Sequence, residues 1–176
     1  PPVTEPGRAD KTCRPDTGGR SRPITKCKGG VKGMNIKLHY DVPGDDFTRA
    51  GEASGAIKRT LKQLGFHPDV VRRVSIAMYE GEINMVIHAG GGEADVEILP
   101  DRVSMVLTDH GPGIPDVELA MQEGWSTAPD NVRNLGFGAG MGLPNIKKYT
   151  DYMDIKTEIG KGTRMLLTVL VPKTGG

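Results

Sequence analysis

Three polar positions and two sets of glycines carry the chemistry open to this chain. Glu80, Asn84 and His88 recur every four residues, among Ile76, Met78, Ile83, Met85, Val86 and Ile87. On a helix that spacing stacks them on one face, roughly 6 Å apart per turn. A helix that is apolar nearly all round is buried, so a carboxylate and an amide in its middle need partners or a task. An ion-paired Glu and a hydrogen-bonded Asn inside a core is the plain alternative. Glu82 points away from that face and reads as solvated. Further on, Asp109 follows the apolar run Val103 to Leu107 and opens TDHGPGIPD, with Gly111 and Gly113 behind it. Gly136, Gly138, Gly140 and Gly142 then punctuate GFGAGMGLPN, ahead of a helical pattern. An acidic residue at a strand end, glycines where a backbone can approach a ligand closely, and a glycine run opening a helix together describe a nucleotide site. His88 and His110 lack a partner at metal-like or triad-like spacing and read as structural.

Those residues need a scaffold, and the hydropathy pattern supplies one. Ile36, Leu38, Tyr40 and Val42 alternate with polar neighbours, the period of a half-buried strand over 35–42, which Pro43 and Gly44 end. Asp45 and Asp46 can cap a helix whose apolar positions include Phe47, Ala50, Ile57, Leu61 and Leu64, with Gly65 placed to stop it. Pro68 suits the first turn of a second helix reaching about His88. Runs at 94–99 and 102–108 flank Pro100-Asp101 as a hairpin. A short helix is expected over 117–123, a mobile flap over 125–135, and a helix over 142–149. Strands near 153–158 and 164–171, joined by the turn 159–162, complete the series. That order predicts an α+β fold, a two-layer sandwich of a mostly antiparallel sheet with helices on one face.

The chain has 176 residues, enough for one domain with an ample core. Residues 1–33 hold eight Lys and Arg against three Asp and Glu, and no Leu, Met or aromatic residue. Such a segment cannot bury enough apolar surface to offset the entropy of ordering, so it reads as a disordered basic extension. It has no apolar core of the kind a secretory signal needs. The first Met is Met34, where patterned sequence begins, and the folded domain is expected over 34–173. The extension offers no aromatic residue for base stacking, which argues against direct nucleic-acid binding. No apolar run is long enough to suggest a membrane span. The two cysteines, Cys13 and Cys27, fall outside the patterned body and suggest neither a disulfide framework nor a C-x-x-C metal site, so a cytoplasmic setting is expected.

The chain contains no G-x-x-x-x-G-K-[ST], no V-A-I-K, and no G-x-G-x-x-G opening a helix after its first strand. Glu80-x-x-x-Asn84, Asp109-x-Gly111-x-Gly113, the glycine run 136–142 and Gly162-Thr163 instead resemble the N, G1, G2 and G3 boxes of the GHKL ATPase superfamily. The spellings YEGEINMVIHA, TDHGPGIPD, WSTAPDNVRNLGFGAGMGLPNIKKY and GKGT most resemble the bacterial anti-sigma-factor serine kinases. The likeness runs over about 35–171. Two features depart from that pattern: a longer, more glycine-rich second loop, and Gly81-Glu82 where the family has apolar or small residues.

The resemblance implies a histidine-kinase-like ATPase fold that binds ATP with Mg²⁺. It implies that Asp109 accepts a hydrogen bond from the adenine amino group, with Gly111 and Gly113 letting the backbone pass close to the base. A fixed carboxylate also favours adenine over guanine on physical grounds, because guanine presents an acceptor at that edge. Thr163 would support the adenine contact through a water, and Asn84 would ligate Mg²⁺ by its amide oxygen. Gly136, Gly138, Gly140, Met141 and Gly142 would cradle the phosphates. Glu80 would be the general base, with Arg133 contacting the transferred phosphoryl group. The implied activity is a protein-serine kinase that also binds a regulatory protein, a sigma factor or an anti-sigma-factor antagonist, and a homodimer is compatible with it. An ATP-gated binding module without catalysis and a slow ATPase use the same pocket.

Overall fold

The computed structural model describes residues 33–44, 49–128 and 138–172. The expected extension and most of the expected flap, with Arg133 and Gly136, lie outside those residues, as do Asp45 and Asp46.

Strand β1, Ile36–Pro43, leads to helices α1, Glu52–Gln63, and α2, Pro68–Ala89. The hairpin β2, Gly91–Ile98, and β3, Arg102–Thr108, follows, then the single turn α3, Val117–Ala120. Helix α4, Gly142–Tyr149, precedes β4, Tyr152–Glu158, and β5, Gly162–Leu170. All four strand pairings are antiparallel, in the order β1-β2-β3-β5-β4. The two-layer α+β architecture expected from the pattern is the one observed. Among the described residues no helix is long and apolar enough to cross a membrane.

Alternation along the strands builds the core. Val96 and Ile98 of β2, Val103 and Met105 of β3, and Leu167 and Val169 of β5 are buried, as are Ile57, Leu61, Val74 and Met78 from the helices. Each such side chain contributes about 1.5–3 kcal/mol relative to an exposed position. Helix α2 touches β1, β2, β3 and β5 and both neighbouring helices, so it is the spine on which the rest is assembled. His67 caps it by accepting from the Asp69 N–H at 3.3 Å, Pro68 fills its first turn, and Gly90 ends it with φ +69°. Gly81 explains one departure from the family spelling. A Cβ there would lie 2.7 Å from Leu107 Cδ1, so its absence lets α2 press onto β3.

The second residue of that departure corrects an expectation. Glu82 is 2 % exposed rather than solvated. Its Oε1 accepts from the Gly51 and Ala53 N–H groups at 2.8 and 3.1 Å, and its Oε2 from Ser54 N–H at 3.0 Å. The N-cap of α1 is Gly51, at φ +102°, a residue with no side chain to cap the helix. A carboxylate from the neighbouring helix therefore holds the start of α1, while the expected caps Asp45 and Asp46 lie outside the described residues. It satisfies orphan donors and meets the positive end of the α1 dipole, which is why the charge is tolerated inside the core. At the other end Gly65, with φ +79°, turns the chain so that Phe66 N–H reaches Leu61 C=O at 3.1 Å.

Candidate functional site

A cleft of about 610 Å³ opens between α2, the loop after β3 and the start of α4. Glu80, Asn84 and His88 all line it, as the four-residue spacing predicts. Asp109, Gly113 and Thr163 line it from the sheet side, and Gly138, Gly140, Met141 and Gly142 from the glycine run. Gly111 packs behind the loop, where a Cβ would meet Ala89 Cβ at 2.5 Å. Every expected site residue that is described, Gly111 apart, therefore borders one cavity.

At its sheet end the cavity is organised by Asp109. The Gly111 N–H and the Thr163 N–H donate to Asp109 Oδ1 at 2.9 and 3.1 Å. Its backbone also pairs with Thr163, Asp109 N–H donating to Thr163 C=O at 2.9 Å. One carboxylate oxygen is thus fixed by two amides, and among the described residues Oδ2 takes no protein hydrogen bond. Thr157, which the sequence reading passed over, holds this corner. Its Oγ1 accepts from Ile114 N–H at 2.8 Å and lies 3.1 Å from Thr163 Oγ1. A Thr inside an edge strand looks like any solvent-facing strand residue, so no local pattern marked it.

The helical end is built by contact between α2 and α4. A Cβ on Gly142 would sit 2.8 Å from Asn84 Oδ1, so only glycine lets the first turn of α4 come this close to the Asn84 amide. Three residues on, Asn145 Nδ2 donates to Glu80 Oε1 at 2.7 Å. Asn145 is the second residue missed by sequence reading. Its signal was present, since a residue at i+3 from Gly142 shares a face with it. The glycine run is also tied to the segment before it, because Gly124 N–H donates to Gly140 C=O at 2.9 Å. Among the described residues no group of three or more His, Cys, Asp or Glu side chains could hold a metal ion. An ion bound here would draw most of its ligands from water and an anionic ligand, the habit of Mg²⁺.

His88, expected to be structural, borders the cleft beside Thr127, whose Oγ1 is 3.4 Å from its Nδ1. Burial pushes its pKa below the ordinary 6.5, partly opposed by the charge of Asp109. A histidine whose folded pKa is lowered binds fewer protons than in the unfolded chain, so its contribution to stability is complete above 6.5 and shrinks as pH falls. We therefore expect His88→Gln to lose less stability between pH 7 and pH 5 than the parent, measured by urea midpoints across that range. Equal slopes for the two proteins would contradict a half-buried imidazole that resists protonation.

Residues 70–174 match the family model described as histidine kinase-, DNA gyrase B- and HSP90-like ATPase. The serine/threonine-protein kinase RsbT of Bacillus subtilis is 31 % identical over 112 residues, 61 % of this chain and 78 % of that protein. An anti-sigma F factor of Clostridium beijerinckii is 28 % identical over 140 residues, 76 % of this chain and 91 % of that protein. Among solved structures, the SiaB–SiaC complex from Pseudomonas aeruginosa contains a chain that aligns with a TM-score of 0.46 at 15 % identity, over 76 % of this chain and 89 % of the other. With the family model covering more than half its length, this chain belongs to the histidine kinase-, DNA gyrase B- and HSP90-like ATPase family.

Proposed function

We infer that this chain is an ATP-dependent protein-serine kinase of the anti-sigma type, which transfers the γ-phosphoryl group of ATP to a serine of a regulatory protein. The observation that carries the reading is a single cleft with a half-engaged carboxylate, Asp109, at one end and Glu80, Asn84 and the glycine-opened α4 at the other. The curated relatives named a serine/threonine-protein kinase and an anti-sigma factor support it. The same names suggest a sigma factor or an anti-sigma-factor antagonist as the protein partner. The domain that does this work is taken as 34–173, ahead of which 1–33 is an extension.

Asp109 Oδ2 accepts the adenine amino group while Oδ1 stays with its two amides. Thr163, held by Thr157, supports the base through a water, and Gly111 and Gly113 keep the loop narrow enough for the base to enter. Gly136, Gly138, Gly140, Met141 and Gly142 present backbone N–H groups to the phosphates at the α4 N-terminus, where the helix dipole favours anions. Asn84 would hold Mg²⁺ by its amide oxygen, and the ion would supply charge neutralisation at the phosphates. Arg133 is assigned to the transferred group. In the chemical step the serine hydroxyl oxygen bonds to the γ-phosphorus and its proton passes to Glu80. The bond from the γ-phosphorus to the β,γ-bridging oxygen breaks, and ADP leaves with the electron pair.

The adenine assignment is tested by Asp109→Asn. The substitution keeps an oxygen for Gly111 and Thr163 but turns Oδ2 into a donor facing the adenine amino donor. ATP affinity falls by about 2 kcal/mol, roughly 30-fold. Calorimetry that finds ATP and GTP bound equally by the parent contradicts the assignment.

A further inference from the structure

The reaction as proposed needs Glu80 aimed at an incoming hydroxyl, and Glu80 is a poor candidate to aim itself. It is half-buried on the cleft side of α2 with three rotatable side-chain bonds, so ordering it costs rotamer entropy that a single helix face does not offset. The fold provides one restraint. Asn145 Nδ2 donates to Glu80 Oε1 at 2.7 Å, and this is the only hydrogen bond to the Glu80 carboxylate among the described residues. It fixes one oxygen and leaves Oε2 to take a proton.

The restraint comes from a significant place. Asn145 sits on the first turn of α4, its own N–H donating to Met141 C=O at 2.9 Å. That turn begins at Gly142, which packs on Asn84. One short rigid segment therefore borders the cleft with its glycines, abuts Asn84, and grips the base.

The geometry points to Asn145 as a positioning residue for Glu80, registering the general base to the phosphate-binding turn of α4 through its side-chain amide. This deepens the kinase reading and rests on Glu80 being the base. Asn145 touches neither substrate nor reacting atoms in this role, so its removal lowers kcat and spares nucleotide affinity. A mere tether between α2 and α4 would instead change stability or ATP binding and leave kcat per bound nucleotide intact.

The test uses the full chain in single turnovers of γ-labelled Mg-ATP, counting label released to water, the acceptor that requires no partner. Asn145→Leu keeps the size and removes the donor. The expected result is about a tenfold lower rate at saturating ATP, with the ATP dissociation constant within about twofold of the parent. In the Glu80→Gln background the same substitution changes the rate by less than about twofold, because there is no base left to aim. Asn145→Asp, of the same shape, puts a carboxylate against Glu80 and lowers the rate at least as much, which covers the case of a Leu variant that does not fold. An unchanged rate in Asn145→Leu, or an equal loss with and without Glu80, overturns the proposal while leaving the kinase reading intact. A Glu80→Gln chain that releases label as fast as the parent removes the base and overturns both.

Discussion

Glu80→Gln lowers phosphoryl transfer by at least about a hundredfold while ATP affinity stays within about twofold of the parent. Glutamine keeps the length of the side chain and an oxygen to accept from Asn145 Nδ2, so the α2–α4 contact at 2.7 Å survives. It loses only the capacity to take a proton. The effect therefore falls on the step in which the acceptor hydroxyl is deprotonated and not on binding. Asn84→Ala is expected to give the opposite signature, because in the proposed reading the amide beside Gly142 holds Mg-ATP and its loss weakens binding. Measuring transfer rate and nucleotide dissociation constant for both variants separates the roles, and a Glu80→Gln protein that transfers at the parent rate contradicts this one.

Two residues along the same helix, Glu82→Ala destabilises the fold by about 3 kcal/mol with little direct effect on nucleotide contacts. The buried carboxylate accepts from three N–H groups at the start of α1, and alanine leaves those donors without their charged acceptor. Ala53 and Ser54 are buried, so water replaces Glu82 poorly there. Glu82→Gln retains one acceptor oxygen and loses roughly half as much. Urea unfolding of the three proteins checks the order. An alanine variant as stable as the parent would show that α1 is capped without Glu82.

Glu80 and Glu82 mark what the sequence could and could not reveal. Apolar patterning located α2, which is buried on most sides, and the β2–β3 hairpin, α4 and the two last strands, where burial of one face leaves a period. The same logic put Glu80, Asn84 and His88 on one cleft face. It failed for Glu82, since spacing along α2 shows only that the residue points away from Glu80. What lies on that side is the start of α1, 28 to 31 residues back in the chain. Asn145 and Thr157 were missed for a like reason. Asn145 meets Glu80 across 65 residues, and Thr157 meets Ile114 across 43. Local pattern records which face is apolar, whereas polar contacts between distant elements record how those faces are turned. Arg133 and Gly136 remain assignments from resemblance, outside the described residues.

The central claim is phosphoryl transfer from ATP to a serine of a protein partner. Its most direct measurement is incubation of the full chain with γ-labelled Mg-ATP and a candidate regulatory protein, followed by identification of the labelled residue. The account predicts label on a serine of the partner, dependent on ATP and not supported by GTP, and reduced at least about a hundredfold by Glu80→Gln. A partner that binds in an ATP-dependent manner but never acquires phosphoserine would contradict the kinase claim and leave an ATP-gated binding module in its place.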